Sequence, residues 1–361
     1  MAAVPNIVLY AALLIGLVFG AVALLSGFCL TSGLRNWWTK GDGRLIRSFA
    51  LALAVATAGT QALAGAGIID LGPSIYLQPT FSFALILFGG LLFGYGMVAA
   101  NACVSRALVL LGRGNLRSLV VVIVVGVTAQ MTLKGLVAPL RLAFLHWSEV
   151  TLKSVSLPDI MAAHGLNVSM AAHGLDVSLA RLLAAGALSV VLLVFALTHA
   201  PFRKASWLVA ASVVIGLLIP AGWFATGYLG ADPFNPTPVG SLTFVAPSAD
   251  SLQYVMFSTG STLSFGVVVV AGVLVGSFVT ALVTRRFALE GYTSVQHMLR
   301  SIGGAALMGS GGAMAYGCTI GQGLTGLSTL ALPSMVAGTG ILLGAAAALR
   351  SPMRIPALAN A

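Results

Sequence analysis

The three cysteines of this chain, Cys29, Cys103 and Cys318, each close a run of small residues. The clearest copies read GLLFGYGMVAANACVSR from Gly90 and AALMGSGGAMAYGCTIGQGLTG from Ala305. In both, a glycine stands nine residues before the cysteine, Gly94 before Cys103 and Gly309 before Cys318, and a second glycine follows two positions later, at Gly96 and Gly311. Gly20 and Cys29, within GLVFGAVALLSGFC, repeat the nine-residue interval. A thiol is a weak donor and a weak acceptor with a large, polarizable sulfur. Thiols in series suit a soft sulfur- or selenium-bearing solute, and weak contacts let that solute leave each site as readily as it enters. A hard oxyanion such as sulfate calls instead for several strong N–H or O–H donors. One buried cysteine is by default a small hydrophobe; the recurrence of the interval is what argues for a path.

The residues around the cysteines extend that argument. Gly317-Cys318-Thr319-Ile320-Gly321-Gln322-Gly323 is too rich in glycine to hold a continuous helix, each interior glycine costing about 1 kcal/mol relative to alanine. Broken helices inside a membrane are tolerated where they line a cavity, and their free N–H ends attract anions. Thr319 and Gln322 either line the Cys318 site or satisfy backbone groups released by the break. Asn101 and Ser105, beside Cys103, are candidates of the same kind. Lys134 either draws anions from its helix end or snorkels there. The glycine pairs Gly90/Gly94 and Gly272/Gly276 read as close helix packing.

Composition supplies the elements that must position these groups. Of 361 residues, 58% are hydrophobic and 7% charged, where a soluble domain carries about 25% charged residues. Apolar runs long enough for a bilayer core recur along the chain. The net charge of +10 does not imply nucleic acid, because the basic residues stand between apolar runs and form no stripe. Three cysteines in apolar surroundings do not read as a disulfide framework. No CxxC or Cys/His spacing points to zinc, no carboxylate pair to acid–base hydrolysis and no GxxxxGK[ST] loop to ATP. No catalytic residue, metal ligand or cofactor is expected. Ile7–Leu30 lacks a charged leader and contains a cysteine motif, so it reads as a mature span.

Nine crossings are expected, at Ile7–Leu30, Ser48–Ile69, Phe81–Cys103, Leu119–Val137, Ser178–Thr198, Ser206–Ala225, Leu263–Thr284, Ile302–Cys318 and Ser334–Leu349. Arg35, Lys40, Arg44 and Arg47 fall in the first connection, and Arg106, Arg113 and Arg117 in the third. Arg203 and Lys204 mark the fifth, Arg285, Arg286 and Arg300 the seventh, and Arg350 and Arg354 the tail. The even connections hold Lys153 and, at helix ends, Lys134, Arg141 and Arg181. This asymmetry expects odd connections and the C-terminus in the cytoplasm, with the N-terminus outside. Residues 142–177 are expected to form an outer connection, and MAAHGLNVS and MAAHGLDVS stand in tandem there from Met161 to Ser178, at its end. Such a copy reads as a tolerant loop, which leaves His164 and His173 weak metal candidates. In the other long outer connection, Ser248 or Asp250 is expected to cap a short helix. Asp70, near an outer helix end, is the one carboxylate placed for a proton relay.

A shift of 215 residues carries Gly89 onto Gly304, Gly94 onto Gly309, Gly96 onto Gly311 and Cys103 onto Cys318. On the expected topology one copy runs inward and the other outward, so residues 1–141 and 178–361 are expected to be inverted halves of one transmembrane domain. A fainter echo, GVLVGSFVTALVTR, puts Arg285 where a cysteine would stand.

SGFCLTSGLR, GGLLFGYGMVAANACVSRALVLLGRGNLRSL and LMGSGGAMAYGCTIGQGLTGLS resemble the signature segments of the YeeE/YedE family of sulphur-transport membrane proteins, as do GDGRLIRSFALALA and TAQMTLKGL. The resemblance covers essentially the whole chain. It implies an all-α bundle of inverted repeats in a bacterial inner membrane that takes up thiosulfate, with Cys29, Cys103 and Cys318 along the route. It also implies a small cytoplasmic sulfur-carrier protein as a partner. Family members commonly show a glycine pair before the middle cysteine, where this chain has Asn101-Ala102. Two alternatives stay open: transport of another reduced sulfur or selenium species, and a membrane sulfurtransferase that forms a cysteine persulfide. The latter needs an accessible, activated thiolate, and no histidine lies within any cysteine motif.

Overall fold

A computed structural model describes residues 4–152, 155–157, 177–232 and 237–350. Lys153, His164, His173 and Arg354 lie outside the described residues. A chain in hydrocarbon must satisfy its backbone N–H and C=O groups internally, which helices do. The helices are α1 (Asn6–Ser26), α2 (Leu30–Lys40), α3 (Arg44–Gly65), α4 (Phe83–Ala99), α5 (Val104–Gly112), α6 (Leu116–Leu133) and α7 (Ala138–Trp147). They continue as α8 (Val177–Leu197), α9 (Ala200–Arg203), α10 (Ser206–Gly227), α11 (Val245–Met256), α12 (Phe265–Val283), α13 (Val295–Met314) and α14 (Leu332–Arg350). A π-helical turn, Gly321–Gly326, precedes the last. Two short strands, β1 (Thr80–Phe81) and β2 (Val150–Thr151), pair antiparallel.

Seven helical stretches among the described residues are long and apolar enough to cross a membrane: Asn6–Lys40, Arg44–Gly65, Phe83–Gly112, Leu116–Leu133, Ser206–Gly227, Phe265–Val283 and Leu332–Arg350. The other two expected crossings fall on α8, with the shorter apolar stretch Ala184–Leu197, and on α13, which opens on Gln296, His297 and Arg300.

Glycines set how closely the helices approach and in which direction. A Cβ on Gly89 would lie 2.7 Å from the Gly311 carbonyl oxygen, and one on Gly304 would lie 2.7 Å from that of Gly96. α4 and α13 therefore run antiparallel with their backbones in contact. α4 and α14 run parallel, since Gly340 meets Leu87 and Gly344 meets Leu91. α1 and α12 are also parallel, with Gly272 against Leu13 and Gly276 against Leu17. α3 and α10 follow suit: Ser48 Oγ lies 2.7 Å from Ser212 Oγ, and Gly59 presses on Pro220. Where the two chains of a contact are both backbone, only glycine leaves room.

One end of the bundle is tied by Arg113 to Glu290 at 2.8 Å, by the Leu116 N–H to the Glu290 carbonyl at 2.9 Å, and by Arg47 Nη1 to the Phe195 carbonyl at 3.0 Å. The opposite end holds the β1–β2 pair and a Leu157 N–H bond to the Leu330 carbonyl at 2.9 Å.

Two sequence expectations are corrected. α11 starts at Val245 with Phe244 in the cap position, so neither Ser248 nor Asp250 caps it. Pro247 falls in the first turn, where backbone N–H groups have no intrahelical acceptor, and the helix can begin ahead of it. The expected spans Ile7–Leu30, Phe81–Cys103 and Ile302–Cys318 also break ahead of their cysteines: α1 ends at Ser26, α4 at Ala99 and α13 at Met314.

Candidate functional site

Each helix that leads to a cysteine stops in the same way. Gly27, Asn101 and Tyr316 have φ of 69°, 61° and 56°, and each stands two residues before its cysteine. A left-handed residue ends a helix. Glycine adopts that conformation without steric cost and asparagine visits it. For a tyrosine it costs about 1–2 kcal/mol, so the packing around Tyr316 must hold it. Cys29 and Cys103 then take extended backbone conformations directly before α2 and α5. Cys318 leads into the π-helical turn, its carbonyl accepting the Gln322 N–H at 2.7 Å.

Two of the breaks meet. Cys29 Sγ lies 3.8 Å from Cys103 Sγ, and Ser105 Oγ lies 3.3 Å from Cys103 Sγ. Both thiols are buried. Around them Arg35 donates to Asn101 Oδ1, and Arg106 Nη1 donates to the Ala23 carbonyl at 3.4 Å. The Phe28 ring stacks on Phe49 with centroids 5.6 Å apart.

Cys318 sits apart, fully buried in the turn that follows α13. Its Sγ accepts the Gly321 N–H at 3.3 Å. The amide of Gln322 donates to the Ala315 carbonyl at 2.6 Å, Thr325 Oγ1 to the Leu242 carbonyl at 2.6 Å, and Gln61 Nε2 to the Ser328 carbonyl at 2.8 Å. These bonds hold an irregular backbone that hydrocarbon would not tolerate unpaired. Yet Thr319 Oγ1, Gln322 Oε1, Gln61 Oε1 and Ser334 Oγ are buried without a partner. Buried polar groups are normally paired, so four orphaned oxygens on and against one turn stand out. Tyr76, from the loop after α3, packs edge-on against Trp223 at 6.2 Å. Burial, and secondarily the nearby Cys318, pushes its hydroxyl well above the usual phenol range.

The structure thus brings Cys29, Cys103, Ser105 and Asn101 together at one site, and Cys318, Thr319 and Gln322 at another. Between the two, a Cβ on Gly323 of the π-helical turn would lie 3.1 Å from the Phe49 ring that stacks on Phe28. Lys134 belongs to neither; it is exposed at the end of α6 and pairs with Asp250 at 3.5 Å. Arg141 Nε donates to the Thr132 carbonyl at 3.1 Å, and the exposed Asp70 accepts the Gly72 N–H at 2.9 Å in a turn. Gln61 and Arg35 were not singled out by sequence reasoning as site residues. The signal for Gln61 was there: a lone amide inside an apolar span is expensive unless it has work to do. Among the described residues no three His, Cys, Asp or Glu side chains gather as a metal would require.

Comparison with known proteins gives the same direction. Residues 25–347 match the family described as Sulphur transport. Among curated proteins, the thiosulfate transporter TsuA of Escherichia coli K12 is 27% identical over 321 residues, covering 86% of this chain and 85% of its own. The thiosulfate transporter TsuA of Spirochaeta thermophila is 26% identical over 340 residues, covering 93% and 96%. With helices that break just before each cysteine in an apolar multi-pass bundle, and a family match over most of its length, this chain belongs to the Sulphur transport (YeeE/YedE) family of membrane proteins.

Proposed function

We propose that this chain takes up thiosulfate across a bacterial inner membrane, handing it from Cys318 to the Cys29–Cys103 pair. The observation that carries this reading is the 3.8 Å contact of two buried thiols, each at the start of a half-helix and each preceded by the same left-handed break. Thiosulfate is a dianion with a terminal sulfur. S–H···S contacts hold that sulfur weakly enough to release it. Half-helix N–H groups and the hydroxyls of Ser105 and Thr319 hold the oxygens. The Gln322 side chain, with its unpaired Oε1, borders the Cys318 site, and Asn101 borders the pair. Arg141 adds positive charge at the entry end, and Lys134 would add to it when an arriving anion draws it from Asp250. No cofactor or catalytic residue is invoked, and the names of the relatives point to a transporter rather than an enzyme.

The reading includes nine crossings, with the N-terminus outside and the C-terminus cytoplasmic. Helix directions support it: the first crossing is parallel to the seventh, the second to the sixth and the third to the ninth, while the third opposes the eighth. Strict alternation of nine spans requires each of these. Inverted halves, 1–141 and 178–361 joined by 142–177, are supported by an exchange of contacts. Gly89 meets Gly311 and Gly96 meets Gly304, which is what two copies related by a two-fold axis would make when one repeat shift carries Gly89 to Gly304 and Gly96 to Gly311. Gly94 likewise presses on Ile341 and Ala345, and Gly309 on Val125 and Ala129. The entry side is then the end that holds Tyr76 and Cys318, and a small sulfur-carrier protein would receive the anion at the arginine-rich end.

Uptake of labelled thiosulfate into liposomes that contain only the purified protein tests the proposal, with sulfate, selenite and sulfide as competitors. Saturable uptake resisted by sulfate competition is expected. Uptake displaced by selenite ahead of thiosulfate would favour a selenium solute instead.

A further inference from the structure

The arginines next to the Cys29–Cys103 pair are arranged reciprocally. Arg35, six residues after Cys29 on α2, donates to the side-chain oxygen of Asn101, the left-handed residue before Cys103. Arg106, three residues after Cys103 on α5, donates at 3.4 Å to the carbonyl of Ala23, which also accepts the N–H of Gly27, the left-handed residue before Cys29. Each arginine therefore holds the break that belongs to the other cysteine.

Both guanidinium groups are half-buried, and among the described residues neither meets a carboxylate. The acidic side chains at this end are engaged elsewhere: Asp42 pairs with Arg44 at 2.9 Å, and Glu290 with Arg113 at 2.8 Å and Asn115 at 2.7 Å. Half-buried arginines bonded only to a neutral amide and a peptide carbonyl have much to gain from an anion. A charge-assisted bond to an oxyanion is about twice as strong as a neutral one, and the planar guanidinium offers paired donors to it. Residues that only marked the cytoplasmic side of a helix would snorkel into solvent instead of bracing two helix breaks across 66 and 83 residues of sequence.

Resting on the transport reading above, we propose that Arg35 and Arg106 form an exit site for doubly charged oxyanions on the cytoplasmic side of the Cys29–Cys103 pair. They also latch that pair. With Asn101 and Ala23 as acceptors, the two breaks are drawn together and the thiols stand in contact. An anion that reaches the pair offers better acceptors, the guanidinium groups turn to it, and the two half-helices are released from each other. The exchange costs little, because each arginine trades one hydrogen bond for another, and it couples opening to the arrival of the transported species.

The test uses the full chain in liposomes with sulfur-35 thiosulfate, together with disulfide formation between Cys29 and Cys103 driven by diamide and read by mass spectrometry. Arg35→Gln and Arg106→Gln are each expected to lower the maximal uptake rate by about tenfold with little change in the half-saturating concentration, since entry is untouched. Arg35→Lys, which keeps the charge and loses the fork, recovers part of the rate. Saturating thiosulfate lowers the wild-type disulfide yield by about threefold and leaves the yield of both glutamine variants unchanged. Asn101→Gly, which keeps the positive φ and removes the amide, lowers the yield without added anion. Wild-type maximal rates in both glutamine variants, or a thiosulfate effect on disulfide yield that survives both, overturn the exit site and leave transport standing. Should the glutamine variants not fold, a wild-type yield in Asn101→Gly overturns the latch by itself. A wild-type chain that moves no thiosulfate overturns the transport reading and the exit site with it.

Discussion

Cys29 and Cys103 stand 74 residues apart in the chain, yet their sulfurs lie 3.8 Å apart. The contact comes from two helices that end alike, with a left-handed residue, one residue more and then an extended cysteine that opens a new helix. Cys318 repeats the first part of this device and replaces the new helix by a π-helical turn. One backbone motif thus yields a paired site and a solitary one.

Replacing single thiols tests what the motif is for. Cys103→Ala and Cys318→Ala are expected to abolish growth on thiosulfate as the sole sulfur source without lowering membrane abundance, since alanine fits each site but has no thiol. Cys29→Ala is expected to weaken uptake less, because Cys103 and Ser105 remain beside it. Full transport by a protein lacking all three would remove the relay and leave the family assignment intact.

The close helix contacts carry a stability prediction. A Cβ on Gly309 would sit 2.6 Å from the Val125 carbonyl oxygen, a backbone atom that cannot swing aside. Gly94→Ala and Gly309→Ala should each cost about 1–3 kcal/mol by overpacking, read as a lower unfolding temperature in detergent. Gly303→Ala, at a position with nothing within 4 Å, should be neutral or slightly stabilising as alanine favours helix. Equal behaviour of the three would mean that α4, α6, α13 and α14 do not meet as described.

Much of this arrangement is legible in the sequence, and the reasons for the rest are physical. Apolar run length and the spacing of arginines locate the long helices but not the short α2, α5, α7 and α9, and the nine-residue interval marks the cysteines, because both signals depend on local composition. The break at Gly27 carries the usual glycine signal, but those at Asn101 and Tyr316 do not, since there tertiary packing imposes positive φ on residues with side chains. The Cys29–Cys103 contact and the bonds of Arg35 to Asn101 and Arg106 to Ala23 join segments far apart in the chain, which no local pattern records. The cap expected at Ser248 or Asp250 falls instead at Phe244, because the helix begins ahead of Pro247, and the pairing of Lys134 with Asp250, more than 100 residues away, is a long-range contact that the sequence does not display.

Orientation can be measured with reporter fusions. Fusions after Arg47, Arg117, Lys204 and Arg354 are expected to report cytoplasm, and one after Gly72 the outside. An outside signal after Arg354 would remove the ninth crossing, and with it the antiparallel halves.

Whether the thiols conduct or react is the central question, and thiosulfate labelled differently at its two sulfurs answers it most directly. The labelled anion is offered to protein-loaded liposomes with no cytosolic enzymes present. The account predicts equal arrival of both labels inside and no mass change on the protein, because transient S–H···S contacts leave the S–S bond intact. Attack of a thiolate on the terminal sulfur would instead transfer that sulfur to the cysteine and release sulfite. Sulfite left outside, with one sulfur mass added to Cys103 or Cys318, would contradict the account and make the protein a sulfurtransferase.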